Sequence, residues 1–255
     1  MAYYGDRNWL IEVQKGNVAG HAIVNKFGRA TDIDTGASFA VWDGKSDTTN
    51  YPDADYTWQS SSFTAYITSS DNGDTQDYEI QGLAADYTLQ TVTQTAAGNT
   101  VTEVGTSKTW IRIFRVKNVG ATNNAGIIFI NTADNHTAGI PNVDTNIVAI
   151  ISIGKNQTLM AVYTVPLAKT AILLRAYYGC GKSEDFDVSL CARPDGQVFQ
   201  IKDEQLLYQN FLSNKFAGNV GTTFAAKTDI MIKAESLTNA NKVIAAGFDL
   251  LLVDD

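Results

Sequence analysis

Cysteine and histidine are scarce in this chain, and their scarcity limits the chemistry that it can perform. The 255 residues include two cysteines, Cys180 and Cys191, and two histidines, His21 and His136. Zinc sites and activated nucleophiles rely on these residue types, and neither histidine stands in a recognisable motif of that kind. The sequence therefore predicts a protein that is not an enzyme and that needs no cofactor.

The two cysteines flank the stretch GKSED (181–185), which we interpret as the tip of a hairpin. In that register Cys180 faces Phe186, and Cys191 lies far along the returning strand. A disulfide requires closely spaced Cβ atoms. The pattern therefore predicts two free, partly buried thiols.

The chain has neither an excess of basic over acidic residues nor long apolar runs. Its 19 basic and 27 acidic residues give a net charge of −8, and no run of Lys or Arg provides a groove for nucleic acid. The longest apolar runs, such as IVAIISI (147–153), are too short to cross a bilayer. The first residues contain no signal-peptide pattern. We expect a soluble protein made in the cytoplasm, without nucleic-acid or membrane partners.

Helix signals are few, and most segments alternate with a period of two between turn-forming residues. In DFDVSLCAR (185–193) and GFDLLLVD (247–254), apolar and polar residues alternate as in a strand with one wet face. WLIEV (9–13) also resembles a strand, whereas DEQLLYQNFL (203–212) fits a short helix or a strand. The fold class is predicted to be all-β, with antiparallel β-sandwich or jelly-roll lobes and an extended N-terminal arm.

Composition suggests where these parts begin and end. Residues 1–45 lack the regular succession of strands and turns that the rest of the chain shows. They are interpreted as an N-terminal arm or docking segment. The polar stretch 42–58 is the best candidate boundary, and a weaker break lies near 131–146. We therefore expect one β-sandwich lobe at 46–140 and another at 141–255, although 46–255 also fits one large domain.

The stretch HAIVNKFGRATDIDTG (21–36) is the least ordinary part of the sequence. Its aspartates, Asp32 and Asp34, suggest either a metal or acid–base site or a turn, and DNGDTQD (71–77) raises the same question. Neither stretch matches a calcium-binding loop. No metal site is predicted from them, although a structural calcium ion stays an alternative.

Aromatic residues are frequent in the first quarter of the chain, where an interface and a hydrophobic core are equally good interpretations. They are Tyr3, Tyr4, Trp9, Trp42, Tyr51, Tyr56 and Trp58.

Several passages together resemble one family of tailed-bacteriophage virion proteins. VNKFGRATDID followed by WDG is similar to an N-terminal signature close to KFGRNPDID. TSKTWIRIFRV and QTLMAVYTVPLAKTAILLRAY resemble the family's middle strands, and ARPDGQVFQIKDE and AAGFDLLLVDD its C-terminal strands. The chain departs from the family at Ala30 and Thr31, where Asn-Pro is usual, and at Ala168, where a turn glycine is usual.

The resemblance implies a non-enzymatic structural protein of the phage particle, built from β-sandwiches. We expect a decoration protein on the outer head surface that is trimeric and binds the major capsid protein and itself. The alternative is a tail-fibre or receptor-binding protein that recognises the host surface. A third interpretation, a carbohydrate-active enzyme, requires paired carboxylates in a cleft, and no spacing nominates such a pair.

In an arm that adds to a neighbouring subunit, each residue of the signature has a role. We expect Phe27 to fill a pocket, Gly28 to permit close backbone approach and Arg29 to pair with a carboxylate. Asp32 and Asp34 would turn the chain into the first strand. The predicted assembly interface is Lys26, Phe27, Gly28, Arg29, Asp32 and Asp34. Without residues 1–36, the sandwich is expected to fold but not to join the particle.

Overall fold

The structure is a computed structural model that describes residues 8–46, 53–181, 184–209, 211–215 and 222–255. This part of the chain is almost entirely β, with one short α-helix, α1, at Trp9–Gln14 and a single 3-10 turn at Asp144–Asn146. The strands are β1 His21–Ile33, β2 Phe39–Ala40, β3 Tyr66–Ser69, β4 Asp77–Ala84, β5 Leu89–Thr95, β6 Thr102–Glu103, β7 Trp110–Asn118, β8 Ile128–Asn131, β9 His136–Thr137, β10 Ile140–Pro141, β11 Ile147–Ile151, β12 Val162–Thr164, β13 Lys169–Cys180, β14 Asp185–Arg193, β15 Gln200–Tyr208, β16 Phe211–Lys215, β17 Thr223–Phe224, β18 Asp229–Ser236 and β19 Lys242–Asp254.

The strands form four main sheets, and the paired strands are antiparallel, as the alternating patterns predicted. Sheet A has the order β1-β19-β13-β16, with β17 beside β13. Sheet B has the order β12-β18-β14-β15, with β2 beside β18. Sheet C is β5-β4-β7, and sheet D is β11-β8-β3-β6. Strands β9 and β10 pair separately.

The first hydrophobic cluster takes most of its side chains from sheets A and B. Leu173, Tyr178 and Phe248 of sheet A and Phe186 and Leu190 of sheet B are buried in it. Sheet C adds Leu83, Ile111 and Phe114. These residues alternate along their strands with more exposed ones, so the period of two in the sequence identifies the buried face.

The second cluster is built mainly from sheets C and D, and it also reaches sheet B. Tyr78 and Trp110 of sheet C and Phe129 of sheet D are fully buried here. Cys191 and Met231 project into it from sheet B, on the face opposite the first cluster. Sheet B is therefore covered on both faces near these positions, and this links the two clusters.

Residues 21–33 do not form the extended arm that the sequence predicted. They are strand β1, which pairs with β19 from His21 opposite Val253 to Ile33 opposite Lys242. Ala30 and Ile33 are buried in the first cluster. The prediction failed because the partner strand lies more than 200 residues away in sequence. The local sequence pattern of β1 carries no information about a partner at that distance.

Two smaller predictions are also wrong. Residues 9–14 form a helix rather than a strand, because Asn8 caps it through its side-chain Oδ1, which accepts from Leu10 N at 3.1 Å. The strands that contain Cys180 and Cys191 do not pair with each other. Strand β13 belongs to sheet A and β14 to sheet B, so no hairpin ladder joins them.

The predicted division at residue 140 stays a prediction. Strand β11 lies beyond it in sequence and pairs with β8, which lies before it. Residues 47–52 of the predicted connector at 42–58, with Tyr51, fall outside the described residues, as do Tyr3 and Tyr4. No helix in the described ranges is long and apolar enough to cross a membrane.

Candidate functional site

Strand β1 places five of the six predicted interface residues on two different faces of sheet A, and Asp34 follows the strand. Lys26, Gly28 and Asp32 are buried, whereas Phe27 and Arg29 are only partly covered. Successive side chains in a strand point to opposite faces, so this division follows from the strand itself. The six residues of the predicted interface therefore do not form one continuous surface.

Gly28 does permit a close approach, but the approaching backbone belongs to its own chain. A Cβ atom at this position would lie 2.5 Å from Ala161 N and closer still to Val41 O. Ala161 N donates to Val41 O at 2.9 Å, so these two atoms are held together across the glycine. Gly28 thus explains how β1 packs closely against Val41, which follows β2, and Ala161, which precedes β12.

Lys26 is buried, and it forms no ion pair with a carboxylate among the described residues. Its ammonium group donates a hydrogen bond to the Phe114 carbonyl oxygen and lies 5.6 Å from the centre of the Phe114 ring. Burial, together with the positive charge of Arg115, lowers the pKa of Lys26 well below its ordinary value. Lys26 also lines a cavity of about 490 Å³ with Asn25, Arg115 and Tyr163.

Arg29 lies next to a carboxylate of its own chain. Its Nε is 3.5 Å from Asp43 Oδ1, and Asp43 also accepts a hydrogen bond from the Ser152 hydroxyl. Burial raises the pKa of the Asp43 carboxyl, although Ser152 and Arg29 favour its charged form. This pair joins β1 to the turn that follows β2.

Asp32 and Asp34 meet a third carboxylate, Asp53, and one buried lysine. The three carboxylates have oxygen atoms within 4.8 Å of one another. Lys45 Nζ lies 3.8 Å from Asp32 and 3.4 Å from Asp34, and it contacts Asp53 directly. Burial alone would lower the pKa of Lys45, but Asp53, Asp32 and Asp34 raise it.

The three carboxylates offer the oxygen ligands that a metal ion would need. The positive charge among them is already supplied by the ammonium group of Lys45. A metal ion among these carboxylates would face the ammonium group at close range. The arrangement therefore works as a charged cross-link between the end of β1 and residues 45–53. Burial raises the pKa of Asp32, and the Lys45 charge opposes that shift.

The second aspartate-rich stretch, 71–77, is organised by hydrogen bonds. Asp74 is fully buried and accepts from Ser69 Oγ at 2.6 Å and from the amides of Ala125 and Gly126 at 2.8 Å. Asp71 accepts from Gly73 N at 2.7 Å, as in an Asx turn. These aspartates shape the loop, and in the described part of the chain they do not gather into a group of metal ligands.

A charged cavity lies where sheets B and C meet, and the sequence did not reveal it. Arg112 on β7 and Asp229 on β18 are joined by two hydrogen bonds of 2.9 Å. Arg193, at the end of β14, donates to the same carboxylate at 2.6 and 3.2 Å. Trp58 lies beneath both guanidinium groups, 5.2 Å from that of Arg112 and 5.6 Å from that of Arg193.

Apolar side chains are concentrated at the surface on and beside β15, an edge strand of sheet B. Val198, Ile201, Leu206 and Tyr208 are 76%, 58%, 54% and 62% exposed. Helix α1 carries a second patch, since Trp9, Leu10 and Ile11 are also exposed. We call these two surfaces the β15 patch and the α1 patch.

The scarce reactive residues do not gather into one site. The His21 ring packs edge-on against Trp9 with centroids 5.4 Å apart, and His136 Nδ1 lies 3.5 Å from Asp134. Cys180 and Cys191 are not joined by a disulfide, as the sequence predicted. Trp42, Tyr56 and Trp58 pack in a row of edge-on contacts, and Trp42 and Tyr56 are buried in the second cluster.

Comparisons with known proteins identify no family. No family model matches the chain, and no curated protein matches it. Among solved structures, an insecticidal delta-endotoxin from Bacillus thuringiensis has a TM-score of 0.23 at 10% identity, covering 76% of this chain and 53% of the toxin. The isomalto-dextranase of Arthrobacter globiformis, complexed with panose, also has a TM-score of 0.23 at 10% identity, covering 91% of this chain and 35% of the enzyme.

The structure of infectious bursal disease virus, Gt strain, has a TM-score of 0.14 at 9% identity, covering 100% of this chain and 84% of the viral chain. This chain therefore spans about half the length of the toxin and about a third of that of the dextranase. All three likenesses are too weak to carry an argument about function.

Proposed function

We propose that this protein is a structural component of a bacteriophage particle, and specifically a decoration protein on the outer surface of the head. The proposal rests on the resemblance of its N-terminal, middle and C-terminal segments to tailed-phage virion proteins. One structural observation supports it above others: the β15 patch exposes apolar side chains on an edge strand. Exposed apolar surface of this kind is typical of protein–protein interfaces.

We propose a homotrimer in which the β15 patch of one copy packs against the α1 patch of the next. Helix α1 contacts β1, one edge strand of sheet A, and β16 is the opposite edge. Strand β15 ends at Tyr208 and β16 begins at Phe211, so the Tyr208 end of the β15 patch lies towards that opposite edge. Two unlike patches make a head-to-tail interface, and this closes into a three-membered ring when successive copies are related by a rotation of about 120°.

On this proposal, sheets A and B form one antiparallel β-sandwich lobe and sheets C and D form the other. Such a body presents rigid faces with short loops, which suits a subunit that must bridge the major capsid proteins of a shell. The residues of β1 named in the sequence signature then act within the subunit, by holding sheet A to the segments around Val41 and Lys45. The trimer contact is assigned instead to β15 and α1.

The oligomeric state tests the subunit contact. Light scattering coupled to size exclusion is expected to give the mass of a trimer for the wild type and of a monomer for Leu206→Asp. Leu89→Asp is the matched control, because Leu89 is 61% exposed on sheet C and belongs to neither patch. A monomeric wild type, or a trimer that survives Leu206→Asp and Tyr208→Asp together, would exclude this contact.

The place in the particle needs a separate measurement. A cryo-EM map of the phage particle is expected to show this chain on the outer surface of the head, in contact with the major capsid protein. Density confined to the tail would contradict the decoration role. It would favour the receptor-binding alternative.

A further inference from the structure

The cavity around Arg193 has the features of a binding site for a small acid. It has a volume of about 260 Å³ and is lined by Trp58, Tyr87, Arg112, Arg193, Lys227 and Asp229, among others. This volume lies below the roughly 300–1,000 Å³ that is usual for drug-sized ligands, so the cavity suits a group as small as one monosaccharide.

The charges in the cavity leave an excess of one positive charge. Arg112, Arg193 and Lys227 are cationic, whereas only Asp195 and Asp229 are anionic. The whole chain has a net charge of −8, so this local excess runs against the general balance. An anion is the ligand that would neutralise it.

Hydrogen bonding shows which donors are available to that anion. Asp229 accepts from Arg112, Arg193 and the Thr164 hydroxyl, and Arg112 also donates to the carbonyl oxygens of Gln59 and Ile111. Arg193 uses Nε and Nη2 on Asp229, and its Nη1 makes no hydrogen bond to any described residue. Lys227 Nζ is 3.7 Å from Asp195, too far for a hydrogen bond.

Two residues in the wall of the cavity have an unusual backbone conformation. Tyr87 and Lys227 both adopt left-handed conformations, with φ of 67° and 64°. Lys227 Nζ lies 5.1 Å from the centre of the Tyr87 ring, so the two strained residues face each other. Bulky residues rarely adopt such angles, and strained residues cluster at ligand-binding sites.

We propose that this cavity binds the carboxylate of a small hydroxylated acid, namely a uronic acid residue of a glycan. The Nη1 group of Arg193 and the ammonium group of Lys227 hold the carboxylate, as paired cations do in other carboxylate sites. Gln59, Ser60 and Gln197 also line the cavity and supply polar groups for the hydroxyls. The inference does not depend on where in a particle the protein lies.

Calorimetric titration of the full chain tests this with D-glucuronate, D-glucose and N-acetyl-glutamate as probes. Glucuronate is expected to bind saturably and at least about tenfold more tightly than either of the other two, a difference of about 1.4 kcal/mol. Equal affinity for glucose would overturn the carboxylate contact. Equal affinity for N-acetyl-glutamate would overturn the assignment to a sugar, and absence of saturable binding would overturn the site.

Variants locate the binding. Lys227→Gln and Arg193→Gln are expected to weaken glucuronate binding at least about tenfold, because each removes one cation from the carboxylate. Arg193 also pairs with buried Asp229, so Lys227→Gln, at a partly exposed side chain, is the variant that keeps the test valid if Arg193→Gln does not fold. Lys108→Gln is the matched control, since Lys108 is exposed and does not line the cavity. Unchanged binding in Lys227→Gln would contradict the proposal.

Discussion

Arg112 and Asp229 face each other with two parallel hydrogen bonds of 2.9 Å, and both side chains are almost fully buried. The pair joins β7 of sheet C to β18 of sheet B, so it lies between the two hydrophobic clusters. An arginine in this geometry binds a carboxylate through two N–H groups at once.

Replacing Asp229 with asparagine is expected to destabilise the protein by about 3–5 kcal/mol, because a buried cation then loses its partner. Urea unfolding followed by tryptophan fluorescence measures the change. Asp254→Asn is the control, since Asp254 pairs with Lys169 at the surface and is expected to cost less than about 1 kcal/mol. A loss at Asp229 as small as that of the control would show that the buried pair does not hold the sheets together.

Gly28→Ala is expected to destabilise the protein by at least about 1–3 kcal/mol, the usual cost of overpacking a tight interior. The added Cβ would meet backbone atoms of Val41 and Ala161, which cannot move aside as a side chain can. Gly73→Ala is a suitable comparison, because its Cβ would meet only the Asp71 carboxylate, at 3.0 Å. Equal unfolding midpoints for the two variants would contradict the packing described for β1.

Ala168→Gly is expected to stabilise the protein by up to about 1 kcal/mol. Ala168 is exposed and has φ of 58°, a left-handed conformation that costs a residue with Cβ roughly 1–2 kcal/mol and glycine much less. Ala121→Gly, at an exposed alanine without a positive φ, is expected to be neutral or slightly destabilising. The melting temperatures of both variants check this, and a lower value for Ala168→Gly would count against it.

Lys26 makes the stability of the protein depend on pH in a specific direction. The unfolded chain binds a proton at Lys26 that the folded chain releases, because the folded pKa lies well below 10.5. Stability linked to this group therefore rises with pH from the lowered folded pKa up to about 10.4, the ordinary value in an unfolded chain.

Lys26→Met removes that dependence. The free energy of unfolding of the wild type, minus that of Lys26→Met, is expected to increase across this interval in urea titrations at several pH values. Lys108→Met, at an exposed lysine, is the control. A constant difference for Lys26→Met would mean that the amine stays protonated in the folded protein.

Sequence patterns predicted the all-β class with antiparallel sheets, because they record which face of a strand is buried. In β14, for example, Phe186, Val188 and Leu190 were predicted to share a face, and all three are buried in the first cluster. The same alternation cannot say which strand lies beside which. The pairing of β1 with β19, and the separation of β13 from β14, depend on contacts between distant parts of the chain.

The predicted site shows the same limit. Alternation should have separated Lys26 and Gly28 from Phe27 and Arg29, once residues 21–33 were treated as a strand. The partners Asp43, Lys45 and Asp53 follow soon after in sequence, but nothing in their spacing indicates that they return to β1. Deletion of residues 1–36 would remove an integral strand together with Ala30 and Ile33, so we now expect the remainder to be destabilised.

The pairing of β1 with β19 has a consequence for how this protein folds. Asn25 donates to Asp249 across a separation of 224 residues, so sheet A joins segments that are made far apart in time. Contacts of such long range slow folding, because a large loop must close before they form. During synthesis β1 stays unpaired until β19 has been made. We therefore expect sheet A to form late, and its unpaired edge to be where a nascent chain is most prone to misassembly.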